Sequence, residues 1–473
     1  MKVLKFGGTS VQDAKAIANV VRIIESKIGD PLVVVTSACA GVTNSLLGIV
    51  RLAAEGGLLK AKAELNLLRI RHETIASELI GAGRRKEFND LVRSDCREVE
   101  KSLRRISVGG KASDRLSDAI VSHGERWSSN LLLRALLDRG ISTTLVDSTE
   151  YLITDEEFTN ATPLFDMINT KAPEALLPHL KHSRVVVTQG FVGISQQGRI
   201  TTIGRGGSDY SASIIGAALG VNEIEIWTDT DGILSADPRV VREALSIQEL
   251  SAEEATELAH FGAKVIHPST LAPALESKIP IRILNSHNPA HPGTLIRENQ
   301  GPAHLGVKSV TGRKGVCSIA LRKNKRMNTV HFVHHIFDVL EQYKKGIEFV
   351  SSSETGVLLV TSEDRHIESL LAELRHHEGA EIYEQEAIVT VVGTYGRGEQ
   401  PIQSRVHAIL TNAGISVHLS YEGISVHSTV FVIDAANLEK ALKLLHEEII
   451  EMDAASRREG FSSWNLHHDA RVA

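Results

Sequence analysis

The chain has 473 residues, of which 42% are hydrophobic, 23% charged and 4% aromatic, and its formal net charge is -6. That length exceeds what one hydrophobic core serves, so two or three domains are expected. The mild acidic balance and the scarcity of aromatic residues exclude a polyanion or a stacked single-stranded nucleic acid as the main partner.

In chain order, short β-branched runs alternate with helical stretches over the first 300 or so residues. Val3–Phe6, Leu32–Val35, Thr143–Val146, Val185–Thr188 and Glu223–Trp227 read as strands, nearly continuous in apolar character. Such strands suit a mainly parallel sheet covered by helices on both faces. Ala14–Glu25, Arg126–Arg139 and Asp209–Leu219 carry apolar residues at helical spacing. The alternation implies an α/β sandwich. Glu55–Ser113 is rich in Glu, Lys, Arg and Leu and reads as a helical insert. Its basic cluster Arg84, Arg85 and Lys86 reads as a solvated face. Asn285–Pro302, with three prolines, two glycines and three asparagines, reads as a linker.

Beyond it the elements shorten. Strand Val316–Leu321, helix Phe332–Tyr343, strands Ile347–Ser351 and Gly356–Thr361 and helix Ile367–His376 form one unit. Strand Ile388–Val392, helix Ile402–Asn412, strands Ile415–Leu419 and Thr429–Ile433 and helix Leu438–Ile450 form a second. Two β-α-β-β-α-like units of roughly 65 residues make a tandem repeat of small α/β modules. The expected domains are therefore 1–298, 303–385 and 386–452, with 453–473 a frayed polar tail.

No apolar run approaches the roughly 18 residues of a membrane span, and Met1–Gly8 is too short an apolar stretch for a signal peptide. Cys39, Cys96 and Cys317 are far apart and lack C-x-x-C spacing. Neither a disulfide framework nor a thiolate metal site is expected, and a cytoplasmic location fits. His331, His334, His335, His376 and His377 invite a metal reading, but without carboxylate partners they read better as helix-face residues. No metal ligand is assigned.

Four segments carry chemistry. Lys5-Phe6-Gly7-Gly8-Thr9-Ser10 lies between a strand and a helix. Paired glycines let a backbone approach a phosphate, and the helix N-terminus favours the same anion. Lys5 adds a point charge, although a tight turn alone would also use Gly-Gly. Gly204-Arg205-Gly206-Gly207-Ser208-Asp209 again leads into a helix. Arg205, read here as buried, can clamp a carboxylate with two hydrogen bonds, and Asp209 can cap the helix or orient a lysine. Trp227-Thr228-Asp229-Thr230-Asp231-Gly232 ends a strand and continues to Ala236-Asp237-Pro238-Arg239, where open α/β sheets place nucleotides, although a plain Asp-Gly turn would read the same. Lys264 follows in Gly262–Pro268, and on spacing alone a surface lysine is as good a reading. Together these describe phosphoryl transfer to a carboxylate, which relies on positioning and on cations that neutralise charge.

K-F-G-G-T-S at 5–10, T-S-A-C-A-G-V-T-N at 36–44, S-H-G-E at 122–125, G-F-V-G at 190–193, G-R-G-G-S-D at 204–209, W-T-D at 227–229 and G-A-K-V-I-H-P at 262–268 resemble, in that order, the aspartokinases. The resemblance covers nearly the whole chain. It implies the amino acid kinase fold followed by tandem ACT domains of ferredoxin-like βαββαβ type. It also implies ATP with Mg2+ as phosphoryl donor, L-aspartate as acceptor, and a homodimer or higher homo-oligomer formed through the ACT domains. Lys5, Asp209 and Lys264 fall on catalytic positions. Thr43, Glu125, Phe191, Arg205 and Ser208 fall on aspartate-binding positions. Lys5, Gly7, Gly8, Ser10, Thr228, Asp229, Leu234, Arg239 and Lys264 fall on ATP-binding positions, Leu234 replacing an aromatic residue of many relatives.

The resemblance further implies feedback inhibition by an end-product amino acid, lysine ahead of threonine. Its candidate residues are Met327, Phe332, Gly346, Ile347, Glu348 and Ser353. Here the chain departs from lysine-inhibited relatives: Gly346-Ile347-Glu348 replaces S-x-D, and Val330-His331-Phe332 replaces S-R-G-F. Two rivals stay open at this level: a glutamate or acetylglutamate kinase, and a catalytically silent amino-acid sensor. No fused homoserine dehydrogenase is expected.

Overall fold

The computed structural model describes residues 1–261, 268–298, 306–323, 328–363, 367–377, 380–394, 402–422 and 427–451. These fall into two compact units. The first comprises Met1–Ile233, Ser246–Ala252 and Val265–Gln300; the second comprises Leu234–Leu245, Glu253–Lys264 and Gly301–Ala473. Lys264, Met327 and the tail from 453 lie outside the described residues.

The strands of the first unit are β1 (Lys2–Phe6), β2 (Leu32–Thr36), β3 (Thr143–Leu145), β4 (Ile153–Thr154), β5 (Val185–Gln189), β6 (Val192–Ser195), β7 (Ile200–Thr202), β8 (Glu223–Thr228), β9 (Glu249–Ser251), β10 (Ile281–Asn285) and β11 (Thr294–Arg297). Eight of them form one sheet in the order β3-β5-β2-β1-β8-β10-β11-β9. Pairing is parallel from β3 through β10 and antiparallel between β10 and β11. Residues 32–36 and 185–189 are buried throughout, as strands covered on both faces require. A small sheet, β4-β6-β7, stands apart.

The helices are α1 (Ala14–Glu25), α2 (Val42–Ala54), α3 (Leu58–Leu79), α4 (Ala82–Gly109), α5 (Asp114–Val121), α6 (His123–Asp138), α7 (Phe165–Leu180), α8 (Gly207–Leu219) and α10 (Pro268–Glu276), whereas α9 (Ala252–Phe261) belongs, but for Ala252, to the second unit. Asp13 caps α1 by accepting the Ala16 N–H at 2.8 Å. The expected insert is α3 and α4. Phe88, Val92, Cys96, Val99, Leu103 and Ile106 bury one stripe of α4 in the same core as Leu4, Val34 and Trp127.

Asn285–Pro302 is not a free linker: its described part carries β11, which pairs with β10 at Ile281↔Ile296 and Ile283↔Thr294. Pro289, Pro292 and Gly293 mark the hairpin turn. Gly293 has φ 66°, and a Cβ there would lie 1.9 Å from the Ile283 carbonyl oxygen. The β6–β7 hairpin is a second addition to the expected elements, turning at Gly198 with φ 73°.

In the second unit, β12 (Gly306–Arg322), β13 (Ile347–Ser353), β14 (Gly356–Ser362), β15 (Ala380–Thr394), β16 (Val417–Glu422) and β17 (Ser428–Asp434) form one antiparallel sheet, ordered β13-β14-β12-β15-β17-β16. Helices α11 (Thr329–Gln342) and α12 (Ile367–His377) cover one half, and α13 (Ile402–Asn412) and α14 (Leu438–Leu445) the other. The chain beyond α14 winds on as a π-helical turn, His446–Glu451. Long strands β12 and β15 are shared. Val316–Arg322 pairs with β14, whereas Gly306–Lys314 pairs with Ala387–Thr394, the part of β15 that also pairs with β17. Register shifts around Lys314, Val316 and Ser318 divide the two halves. The repeats are thus interleaved: the strand that enters the first also completes the second. Among the described residues no helix is long and apolar enough to cross a membrane.

Candidate active site

Parallel strands bring the ends of β1, β2, β5 and β8 to one edge of the sheet, and the loops leaving the first three of them, with the β7–α8 loop and residues of α5 and α6, build a cavity of about 530 Å³ within the first unit. Lys5, Gly8, Thr43, Glu125, Phe191, Arg205, Ser208 and Asp209 all line it, as do Ser37–Gly41, Asp118, Thr159 and Thr202. Every aspartate-site residue assigned from the resemblance, together with Lys5 and Asp209, therefore meets at one cavity.

Lys5, near the end of β1, points at the first turn of α8, where its Nζ lies 2.6 Å from Asp209 Oδ1. The paired side chains are only 10% and 14% exposed. Gly206 enters α8 with φ 75°, which an L side chain rarely adopts. Close packing explains the other glycines. A Cβ on Gly207 would stand 2.7 Å from Phe191, one on Gly190 2.7 Å from Ser208, and one on Gly8 2.9 Å from the Ala38 carbonyl oxygen. Phe191 itself holds φ 65°, stabilised by its N–H donating to Ser211 Oγ at 2.9 Å.

Glu125 is the most unusual group. It is 3% exposed, with one carboxylate oxygen accepting the Ala38 N–H at 3.2 Å and the other without a partner. Burial pushes its pKa up from 4.5 to about 8. Arg205, by contrast, is exposed at the cavity rim rather than buried, with no ion-pair partner among the described residues. A guanidinium free on the wall, the Lys5–Asp209 pair and a buried acid that a ligand's ammonium can ionise face one ligand. That arrangement suits an amino acid with its own carboxylates and ammonium.

Several assigned positions stand elsewhere. The Gly7 N–H is spent on the Trp227 carbonyl at 3.1 Å, and Ser10 Oγ lies 2.8 Å from Ser286 Oγ, so the loop is secured to β8 and to the residue that follows β10. Thr228 and Asp229 sit at the end of β8, with the Thr228 hydroxyl donating to Asp229 at 3.2 Å. Leu234 and Arg239 belong to the second unit, where Arg239 pairs with Asp237 at 2.5 Å. Of the effector candidates, Phe332 is packed in the core with Ile336 and Leu359, and Ile347 packs against it. Gly346 leads β13 and its carbonyl accepts the Thr361 hydroxyl. Glu348 pairs with Arg313 at 2.5 Å, and Ser353 bonds Thr355 in the β13–β14 turn.

Asp118 belongs to none of the seven sequence motifs. It is 2% exposed and accepts from Thr159 N (2.9 Å), Thr202 N (3.0 Å) and Thr202 Oγ1 (2.8 Å), tying down two walls of the cavity. Burial raises its pKa although these donors oppose it. An acid among apolar positions of a short helix was the only signal. Cys39 also lines the cavity, but burial pushes its thiol up to about 12, so it is no nucleophile.

Residues 1–285 match the pattern of the amino acid kinase family, and residues 389–449 that of an ACT domain. The chain belongs to the amino acid kinase family. The lysine-sensitive aspartokinase 3 of Escherichia coli is 32% identical over 472 residues, spanning 95% of this chain and 99% of that one. The aspartokinase of Schizosaccharomyces pombe is 28% identical over 481 residues, spanning 95% and 92%. The crystal structure of E. coli aspartokinase III with aspartate and ADP superposes with a TM-score of 0.81 at 29% identity, covering 94% of this chain and 99% of that one. Clostridium acetobutylicum aspartate kinase gives 0.78 at 27%, covering 95% and 100%. Within its family the chain is an aspartokinase.

Proposed function

We propose that the cavity binds L-aspartate and that the chain transfers the γ-phosphoryl group of ATP to its β-carboxylate. The observation that carries this reading is one cavity lined by Arg205, the buried Glu125 and the Lys5–Asp209 pair. Arg205 receives the α-carboxylate, and Glu125 the α-ammonium. A β-carboxylate oxygen then attacks the γ-phosphorus, an O–P bond forms, the bond to the β–γ bridging oxygen breaks, and ADP leaves. An ionised carboxylate is already a competent nucleophile, so no general base and no covalent enzyme intermediate are needed. Lys5 neutralises charge on the transferring oxygens, and Asp209 fixes its direction. Lys264 and the end of β8 at Thr228 and Asp229 serve the nucleotide.

Among the described residues no three His, Cys, Asp or Glu side chains gather to hold a metal ion on their own. Mg2+ would be brought by the nucleotide, held mainly by its phosphates and by water, and would supply charge screening there. A homo-oligomer joined through the ACT-containing half belongs to the same proposal. It is supported by β13 and β16, both edge strands with unpaired backbone groups to offer. The three widely spaced cysteines, all free, support a cytoplasmic location.

Arg205→Lys tests the acceptor site. Lysine keeps the charge and loses the planar fork, so the aspartate KM is expected to rise about 5- to 10-fold, the worth of one good hydrogen bond, with the ATP KM little changed. Steady-state kinetics with each substrate varied in turn decides it; equal rises would move Arg205 to the nucleotide or the scaffold.

Lysine is the proposed feedback effector, bound through the ACT-containing half. It inhibits by binding a less active conformation more tightly, a population shift. Because the Glu348 carboxylate already pairs with Arg313, it is poorly placed to receive an effector's ammonium. Inhibition is therefore expected only at millimolar lysine and at subsaturating aspartate. Activity measured against lysine, threonine and methionine, singly and in pairs, checks this; indifference to all three would leave these modules to assembly alone.

A further inference from the structure

The insert helices α3 and α4 contribute no residue to the cavity lining, yet their polar side chains converge behind Glu125. Asp95 on α4 is 7% exposed. Its Oδ2 accepts from Arg126 Nε at 3.1 Å and Trp127 Nε1 at 3.0 Å, and His123 Nδ1 lies 3.5 Å away. Burial would raise its pKa, but His123 and Arg126, with the Trp127 N–H, outweigh that and hold the carboxyl below its ordinary range. All three partners belong to the opening turns of α6, the helix that carries Glu125. Positions 123, 126 and 127 share one helix face, while 124 and 128 share another.

That second face is fixed to the cavity wall. A Cβ on Gly124 would come within 2.8 Å of Ala38 Cβ, Glu125 accepts the Ala38 N–H, and Ser128 Oγ donates to the Ser37 carbonyl at 2.6 Å. The start of α6 is therefore held from both sides. From α3, His72 packs edge-on against Trp127 at 4.9 Å, and Arg71 donates to the Ala40 carbonyl at 2.9 Å. A carboxylate in a core costs stability unless it is paired, and an apolar side chain would fill the space more cheaply. Its presence there calls for a role beyond packing.

We propose that Asp95 is a positioning residue for the acceptor site, gripping Arg126 and Trp127 beside His123 so that α6 presents the Glu125 carboxylate at the depth and rotation the substrate ammonium requires. The insert is then the back wall of the aspartate site. This rests on the acceptor assignment made above.

The test is steady-state kinetics on the full-length protein with Asp95→Asn, which keeps an acceptor for Trp127 and removes the charge. Misplacement of a binding group by a fraction of an ångström is expected to raise the aspartate KM about 10-fold, with the ATP KM moved less than about 2-fold. Leu103→Ala, a core change on the same helix, should lower the melting temperature and leave the aspartate KM alone. Arg126→Gln, at a partly exposed partner, should raise the aspartate KM about 3-fold, and it decides the matter should Asp95→Asn fail to fold. A folded Asp95→Asn or Arg126→Gln with unchanged aspartate KM, or with both KM values raised alike, overturns the positioning role. A wild-type protein that does not phosphorylate aspartate would instead overturn the acceptor assignment beneath it.

Discussion

Lys5→Ala is expected to lower kcat at least ~10²-fold while the protein stays folded, because one preorganised charge donor at a developing anion commonly contributes that much. The geometry makes the loss larger than a simple deletion. Lys5 and Asp209 are 2.6 Å apart with little solvent access. Removing the ammonium leaves the Asp209 carboxylate uncompensated beside the oxygens that gain negative charge, so one substitution deletes an attraction and adds a repulsion. Asp209→Asn in the Lys5→Ala background should therefore restore part of the activity. A double-mutant cycle on kcat reads that coupling directly. Single-turnover kinetics and a thermal melt on purified variants are the measurements. A folded Lys5→Ala enzyme with more than about a tenth of the wild-type rate would remove Lys5 from the transition state.

The fold's central elements were legible because their signals are local. Val3–Phe6 and Leu32–Val35 are nearly unbroken apolar runs, and α1 spans Ala14–Glu25, the stretch whose apolar residues recur at helical spacing. The elements that escaped depend on partners distant in sequence. β11 was hidden because Pro289, Pro292 and Gly293 dominate the local composition, and only pairing with Ile281–Ile283 shows that they mark a turn. The interleaving of β12 and β15 is a matter of register, which no periodicity within 306–322 encodes.

The cavity was legible for a related reason. Its residues sit in glycine-marked loops at strand ends, where close backbone approach leaves a trace in the sequence. What those glycines do was less legible: Gly7 gives its N–H to Trp227, and Gly8 makes room for Ala38. Asp95 and Asp118 left almost no trace. Each is one acid on an otherwise ordinary helix, and its meaning comes from donors on other elements, Trp127 for one and Thr202 for the other.

Glu125→Gln is expected to separate stability from function. In the free protein the carboxylate is buried, one oxygen lacks a partner, and burial has pushed its pKa from 4.5 to about 8. The folded state therefore binds a proton that the unfolded state releases. Ionised Glu125 destabilises the fold by an amount that is absent below pH 4.5, grows as pH rises, and is complete above about pH 8. Its full size is on the order of a few kcal/mol. Glutamine keeps the Ala38 hydrogen bond and cannot ionise, so the variant should melt with the wild type near pH 5 and clearly above it at pH 8. Catalysis should move the other way. Without the carboxylate the aspartate ammonium loses a charge-assisted hydrogen bond, and the aspartate KM should rise about 10- to 100-fold with the ATP KM little changed. Ammonium binding requires the ionised form, so in the wild type the aspartate KM should fall by up to about tenfold per pH unit as pH rises from 6 towards 8. The variant should lack that slope. Melting curves and aspartate KM measured across this range for both proteins are sufficient. A wild-type KM that is flat between pH 6 and 8, or a variant no more stable than wild type at pH 8, would mean that Glu125 is ionised in the free enzyme and that its burial is compensated within the cavity.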